Sequence, residues 1–592
     1  MHEDNTPTVT ARRRKPTSHG RLRLDTAKRL QKLSSRTKAK AELKKGKATE
    51  EMDITVTKDA PTTTPGDAKP GASVKTRQPR VKKNVLKAPP TPPAKFRKRQ
   101  IHKSWLPTHL FHAKRAHMTP PKEPLWRFAI PLTPTAKSYR ATHRASEARG
   151  AVAWDMSYMA TIGLEGPEKS IEELLRALGV SAQDDPEGLW GKRGQKWRDG
   201  KRTWEGWVYE GDGWPAKCIA PVTVIWCMED RTPEARNQGS GDTAVEQPAK
   251  KKRRKAFIRV HPSAFLHLWE QTVRLSKVQK PSVSVEDLRF EIGSIEITGP
   301  ASTEALVGIL RANTPGADGE AQTDTPESVW RTLAILTNPA SLPANALLAF
   351  TVSDPRLHHP PRTLPQTQDA SSQDALLHLL AIWPPDRTQR PPALFDRTAR
   401  LATARALPSQ KAINRRKALA PPGQYPSALP SDPKIPVLLF ASRASPASAA
   451  QGSWTLLLPW KCVLPVWYPL MYYPLSTGGT VRFGGLREKR QVAFEAGAPW
   501  FPADFAGTRA GVEWEELERG RRKAEWERRP KGKRVEWGSV DLGGGRRGEI
   551  GMGWACDWER LLTGAERAAG KASISFLILH LILCSCHLTI ET

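Results

Sequence analysis

The chain has 592 residues, 38% of them apolar and 52 of them proline, and 93 Lys plus Arg stand against 60 Asp plus Glu for a net charge of +33. That length holds two or three ordinary domains, but the apolar share is too low for all of it to be packed core, while 21 Trp exclude a wholly disordered chain. Six Cys with no C-x-x-C pair argue against a zinc ribbon or a disulfide framework and for reduced, intracellular thiols.

The charge is concentrated. Residues 1–150 carry 36 Lys plus Arg and 11 Asp plus Glu, a net +25, and the rest of the chain only +8. A segment of this kind calls for a polyanion, with nucleic acid or an anionic membrane surface as the usual candidates, and each cation placed on a phosphate releases condensed counterions, so binding to RNA would be tight and salt-dependent. Residues 1–95 read as a basic, mostly disordered arm. Met1–Thr10 is polar and predicts no secretory signal.

Order is expected from Phe96, with residues 96–312 as an N-terminal domain. Ser170-Ile-Glu-Glu173 has the form of a capping box ahead of Ile171, Leu174, Leu175 and Leu178, and predicts a helix closed by Gly179. Val222–Met228 and Phe257–Val260 read as strands, Ser263–Leu275 as a helix, and Leu288–Ile297 as a strand with a bulge at Gly293. Residues 230–255 form a polar insertion ending in Lys250, Lys251, Lys252, Arg253, Arg254 and Lys255, a run of nuclear-localisation type. Residues 313–434 are expected to be Pro-rich linkers with short motifs, 435–537 a second ordered block, and 538–592 a tail. Ile574 to Ile590 is apolar but shorter than the ~20 residues a membrane span needs. The interleaved strands and helices predict an α+β, multidomain protein with a long basic disordered N-terminal arm and Pro-rich insertions.

The densest functional signal lies at 97–118. Arg97, Lys98, Arg99, Lys103, Lys114 and Arg115 can pair with phosphates, and Trp105, Phe111 and His112 offer flat faces for unstacked bases. Packing of Trp105, Leu106, Leu110 and Phe111 as an apolar anchor under a basic strip is compatible with this. His102, His109, His112, His117 and His143 match no common zinc spacing and have no Cys nearby, so no metal site is expected. Gly478, Gly479, Gly484 and Gly485 predict turns, because no Gly-Lys-Ser/Thr follows to make a phosphate loop.

Several strings occur in a fixed order: Leu106-Pro-Thr-His-Leu-Phe-His-Ala-Lys-Arg-Ala-His-Met118, Lys137-Ser-Tyr-Arg-Ala-Thr-His-Arg144 and Gly150-Ala-Val-Ala-Trp-Asp155; then Leu342-Pro-Ala-Asn345, Thr351-Val-Ser-Asp-Pro-Arg-Leu357 and Ile413-Asn-Arg-Arg-Lys417; then Leu458-Pro-Trp460, Gly484-Gly-Leu-Arg-Glu488 and Phe501-Pro-Ala-Asp504. Together they resemble the large protein subunit of eukaryotic ribonuclease P and RNase MRP, the last group being similar to its POPLD domain (435–537). The resemblance implies a non-catalytic RNA-binding scaffold that supports precursor tRNA 5′-leader removal and rRNA processing in the nucleus and nucleolus. It implies RNase P RNA, RNase MRP RNA and other protein subunits as partners, precursor tRNA only indirectly, no membrane, no cofactor on the protein, and Mg²⁺ on the catalytic RNA. To the basic residues above it adds Arg140, Arg144, Arg415, Arg416, Arg482, Arg487 and Arg490 as RNA-contact candidates. It assigns no catalytic residue, and Asp155 and Asp354 are read as structural acceptors. It also implies a further C-terminal domain, so that 538–592 reads as a truncated or aberrant tail. A ribosome-assembly factor, or a folate-dependent transferase on a related fold, are the alternatives.

Overall fold

Alternation along the strands builds two sheets that share one apolar seam. The computed structural model describes residues 104–120, 128–136, 138–181, 188–211, 213–229, 253–313, 324–365, 369–443, 451–534, 544–545 and 554–555. The predicted arm (1–95), Lys250–Lys252 and nearly all of 538–592 lie outside these residues. A short ladder pairs β1 (Ala116–Met118) with β2 (Pro131–Pro134). A five-stranded sheet runs β5 (Trp204–Tyr209), β6 (Cys218–Trp226), β7 (Arg253–Val260), β4 (Ala160–Pro167), β8 (Ser284–Asp287). A six-stranded sheet runs β10 (Leu347–Val352), β11 (Ile435–Ser442), β12 (Ser453–Pro459), β9 (Ile292–Thr298), β3 (Val152–Asp155), β13 (Arg482–Phe483).

Successive side chains on a strand face opposite ways. Leu347, Ala349, Leu438, Phe440 and Leu457 of the larger sheet therefore meet Ile225 and Phe257 of the smaller one in a common core. Their neighbours Leu348, Phe350, Leu439, Trp454 and Leu456 face outward onto helices Ser302–Ile309, Pro326–Thr332 and Val463–Met471. On the far side of the smaller sheet, Val224, Ala256 and Ile258 pack on helices Glu168–Ala177 and Phe265–Val278. The layers are helices, sheet, sheet, helices, an α+β architecture.

Several sequence expectations are corrected. The larger sheet draws strands from 96–312, 313–434 and 435–537, so these are not separate domains. The described residues of 313–434 are not linker. Pro326, Pro339, Pro355 and Pro385 stand in the first turns of helices, where a missing N–H costs nothing. The first helix starts at Glu168, and Ser170 is buried within it rather than capping it, although Gly179 does take the left-handed conformation (φ 67°). The insertion after β6 ends before Arg253, where β7 begins. Gly293 is no bulge. It pairs in register with Leu458, and a Cβ there would lie 2.4 Å from Val463 Cγ2, so glycine admits helix Val463–Met471 against the sheet.

Two buried polar arrangements hold the N-terminal and central motifs. Thr108 donates its hydroxyl to Asp155 at the end of β3 and accepts from His112 Nδ1 at 2.9 Å, and the Ser157 amide donates to the same carboxyl at 2.9 Å. That arrangement seats helix His109–His112 against Trp467 and Phe483. In the central motif, Asp354 caps the turn Pro355–His358 through the Arg356 amide (3.0 Å) and grips the Arg356 guanidinium (2.6 and 3.0 Å), which also donates to the Pro408 carbonyl at 2.8 Å.

Asp354→Ala should leave the Arg356 charge buried and unpaired and destabilise the fold by about 3–5 kcal/mol, measurable by urea denaturation. Burial pushes the His112 imidazole down to about 3, against ~6.5 in an unfolded chain. The neutral ring's contribution to stability is therefore complete above ~6.5 and is lost as pH falls from there toward 3. His112→Asn should flatten the acid limb of the stability profile by up to ~1.4 kcal/mol per pH unit, read from denaturation midpoints between pH 4 and 7.

Candidate nucleic-acid interface

The signature helix His109–His112 turns its apolar side inward and delivers the next residues to the surface. Phe111 and His112 are buried, Lys114 is exposed, and Arg115 is half-buried. The Arg115 guanidinium lies 4.2 Å above the Phe111 ring and donates to the Phe111 carbonyl at 3.1 Å. A guanidinium fixed in this way keeps further N–H groups for a phosphate. Burial as a structural core corrects the expectation that Phe111 and His112 stack on bases, because a ring enclosed by Trp467 and Phe483 has no free face. Trp105, half-buried, stacks on His109 at 4.1 Å.

The second motif docks on the POPLD-like block. Helix Arg140–His143 continues into a π-turn, Arg144–Ala148, and Thr142 donates to Glu488 at 2.9 Å. Burial pushes the Glu488 carboxyl up, while the Thr142 and Gly485 donors pull the other way. Tyr139 donates to Glu495 at 2.7 Å and the His143 ring lies 3.2 Å from the same carboxylate. Glu488 and Glu495 belong to helix Leu486–Glu495, which packs on β2. A Cβ at Gly485 would meet the Leu132 carbonyl oxygen at 2.4 Å, so glycine is required for this approach. Thr135 in turn donates its amide to the Arg115 carbonyl at 2.9 Å. Exposed Lys114, Arg140, Arg144 and Arg487 thus project from elements clamped to one another, although Arg487 lies hundreds of residues from the other three in sequence.

The remaining candidates divide. Arg482 is half-buried on β13. Arg490 is exposed and pairs with Asp504 at 3.1 Å, an exposed ion pair of little strength. Arg415 is exposed, but Arg416 holds Asp432 at 2.6 and 2.9 Å and the Ser427 carbonyl at 2.7 Å. Arg416 is therefore a brace between helix Gln410–Leu419 and the following loop rather than an open RNA contact. The supposed localisation run is also corrected. Arg253, Arg254 and Lys255 are strand residues of β7, and Arg254 is buried against Glu168 (3.0 Å) and the carbonyls of Arg198 (2.6 Å) and Cys227 (3.3 Å), so this half of the run is not an accessible extended peptide. Arg97, Lys98, Arg99 and Lys103 lie outside the described residues.

His143, Glu147 and Glu495 offer three ligand atoms within 4.8 Å of one another, all on exposed side chains. Their mutual contacts at 3.2 and 3.7 Å are those of an ion-pair cluster, and no fourth protein ligand joins them among the described residues. No helix among the described residues is long and apolar enough to cross a membrane. Sequence reasoning missed Tyr468 and Tyr472, which are exposed at the end of helix Val463–Met471. The available signal was the aromatic density of Trp467-Tyr-Pro-Leu-Met-Tyr-Tyr473, without any indication of which rings face out.

The family model described as "Ribonucleases P/MRP protein subunit POP1, N-terminal" matches residues 1–167, and the POPLD (NUC188) domain model matches 453–558, later at both ends than the 435–537 expected. Curated relatives named as ribonucleases P/MRP protein subunit POP1 include one from Schizosaccharomyces pombe, 28% identical over 78% of this chain and 58% of its own length. One from Saccharomyces cerevisiae is 25% identical over 81% of this chain and 51% of its own. One from Homo sapiens is 24% identical over 77% of this chain and 50% of its own. The chain spans about half the length of the curated relatives it matches. Both family models fall in the order of the motifs, and relatives align over about three quarters of its residues, so the chain is similar over most of its length to POP1 protein subunits of ribonucleases P and MRP.

Proposed function

We infer that the chain is a non-catalytic RNA-binding scaffold in these ribonucleoproteins, which braces RNase P RNA and RNase MRP RNA and so supports precursor tRNA 5′-leader removal and rRNA processing. The observation that carries this reading is that two separated family motifs and the POPLD-like helix are clamped together by hydrogen bonds and carry the exposed cations Lys114, Arg140, Arg144 and Arg487. A rigid display of cations suits a sugar–phosphate frame, whose charge is regularly spaced. The acids of the family motifs support a non-catalytic role, since Asp155 and Asp354 are engaged as acceptors inside the fold. Mg²⁺ in this reading belongs to the partner RNA and supplies the hydrolytic chemistry there. Other protein subunits complete the particle, precursor tRNA is met through it, and the site of action is the nucleus and nucleolus.

Sequencing the RNA that copurifies with the tagged chain tests the assignment. RNase P and MRP RNAs are expected, whereas pre-ribosomal RNA alone would point to an assembly factor. RNA-free protein that cleaved precursor tRNA in Mg²⁺ would overturn the non-catalytic role. Replacing Lys114, Arg140, Arg144 and Arg487 together by Ala should weaken RNA binding and reduce the slope of log K against log salt by roughly 0.7–0.9 per lost phosphate contact, measured by filter binding at several salt concentrations.

A further inference from the structure

The exposed face of helix Val463–Met471 joins two cationic regions that the sequence presents as unrelated. Val463, Val466, Trp467 and Leu470 are fully buried, while Tyr468 and Tyr472 are 37% and 49% exposed. Residues four apart share one side of a helix and rise about 6 Å along its axis. Tyr468 meets Phe111 edge-on at 5.7 Å, and Phe111 carries the Arg115 guanidinium on its ring. Tyr472 meets His359 edge-on at 5.6 Å. Next to it, His358 meets Tyr425 at 5.2 Å, and the Tyr425 ring lies under Arg362 at 4.8 Å and Arg311 at 5.8 Å. Lys417, from the Asn-Arg-Arg element, donates to the His359 carbonyl at 2.8 Å. The Nδ1 atoms of His358 and His359 are buried without a hydrogen-bond partner.

Side-chain contacts thus link Arg115 to Tyr468 through Phe111, while Tyr472 meets His359, whose carbonyl holds Lys417 and whose neighbour His358 meets Tyr425 beneath Arg362. Cations alone would serve a duplex as well as a single strand. Exposed aromatic faces do not, because a duplex keeps its bases stacked on one another, whereas unpaired bases need a new partner for their faces. Rings flanked on both sides by cations match a strand whose phosphates and bases are both open to protein.

We propose that Tyr468 and Tyr472 form a stacking platform for unpaired nucleotides of the bound RNA, with Arg115 at one end and Lys417, Arg362 and Arg311 at the other tracking the phosphates. The inference rests on the RNA-binding reading above and narrows it to a single-stranded segment of the RNA. The phenol rings, not their hydroxyls, carry the contact, so phenylalanine suffices at either position.

The test uses the full chain and two labelled RNA probes, an unstructured single-stranded oligonucleotide and a duplex of equal length, in anisotropy titrations over a salt series. Tyr468→Ala with Tyr472→Ala should weaken single-strand binding by roughly tenfold or more, with duplex binding and the salt slope unchanged. Tyr468→Phe with Tyr472→Phe should bind as the unaltered chain does. In parallel, 4-thiouridine placed in the single strand should crosslink to Tyr468 or Tyr472 in the unaltered protein, a readout independent of whether the alanine variant folds. Equal loss on both probes, no loss on either, or crosslinks confined to other segments would overturn the platform. If the Lys114, Arg140, Arg144 and Arg487 variant still loses RNA affinity in that case, the broader RNA reading stands without it. If the unaltered chain prefers neither RNA over heparin, both fall.

Discussion

A carboxyl group buried at the end of a central strand organises the N-terminal signature motif. Asp155 cannot remain in the interior without donors, and Thr108 and the Ser157 amide supply them. The same threonine holds His112, which fixes a single turn of helix that would be marginal alone. With that turn seated on Trp467 and Phe483, the next residues, Lys114 and Arg115, reach the surface. The buried acid thus positions the signature helix through Thr108 and His112.

The two-sheet layering explains why the block 435–537 is not an independent module. β11 and β12 contribute Leu438, Phe440 and Leu457 to the seam between sheets, and their alternate residues to the helix-covered face. Removing them would expose both sides of the larger sheet. The β3 strand of the N-terminal region is meanwhile flanked by β9 and β13, both far from it in sequence. Register across these pairings carries the relation between motifs that are far apart in sequence, because a slip of one residue would exchange the two faces.

Charge follows the same division between scaffold and surface. Arg254, Arg356 and Arg416 are held by carboxylates or carbonyls, where they join segments together. Lys114, Arg140, Arg144, Arg415 and Arg487 stay at the surface, where a polyanion can reach them. Two adjacent arginines can fall into different classes, as Arg415 and Arg416 do, because a helix turns by about 100° per residue.

Composition and local pattern were enough to assign the α+β class, the concentrated positive charge, the helices near 168–177 and 265–278, the strands at 222–226 and 257–260, and the ordered series of family motifs. These depend on periodicity and residue type, which are written along the chain. Sequence reading failed where a residue's role depends on what lies opposite it. Phe111 and His112 have the chemistry of base-stacking groups but meet Trp467 and Phe483, and prolines that suggest linker instead begin helices whose apolar faces find a core. Lys255 and its neighbours form a basic run by composition and a strand by pairing. Which rings are buried, which guanidiniums are free and which distant motifs share a surface were decided only by tertiary packing, because burial and long-range pairing follow from contacts between segments that no local window contains.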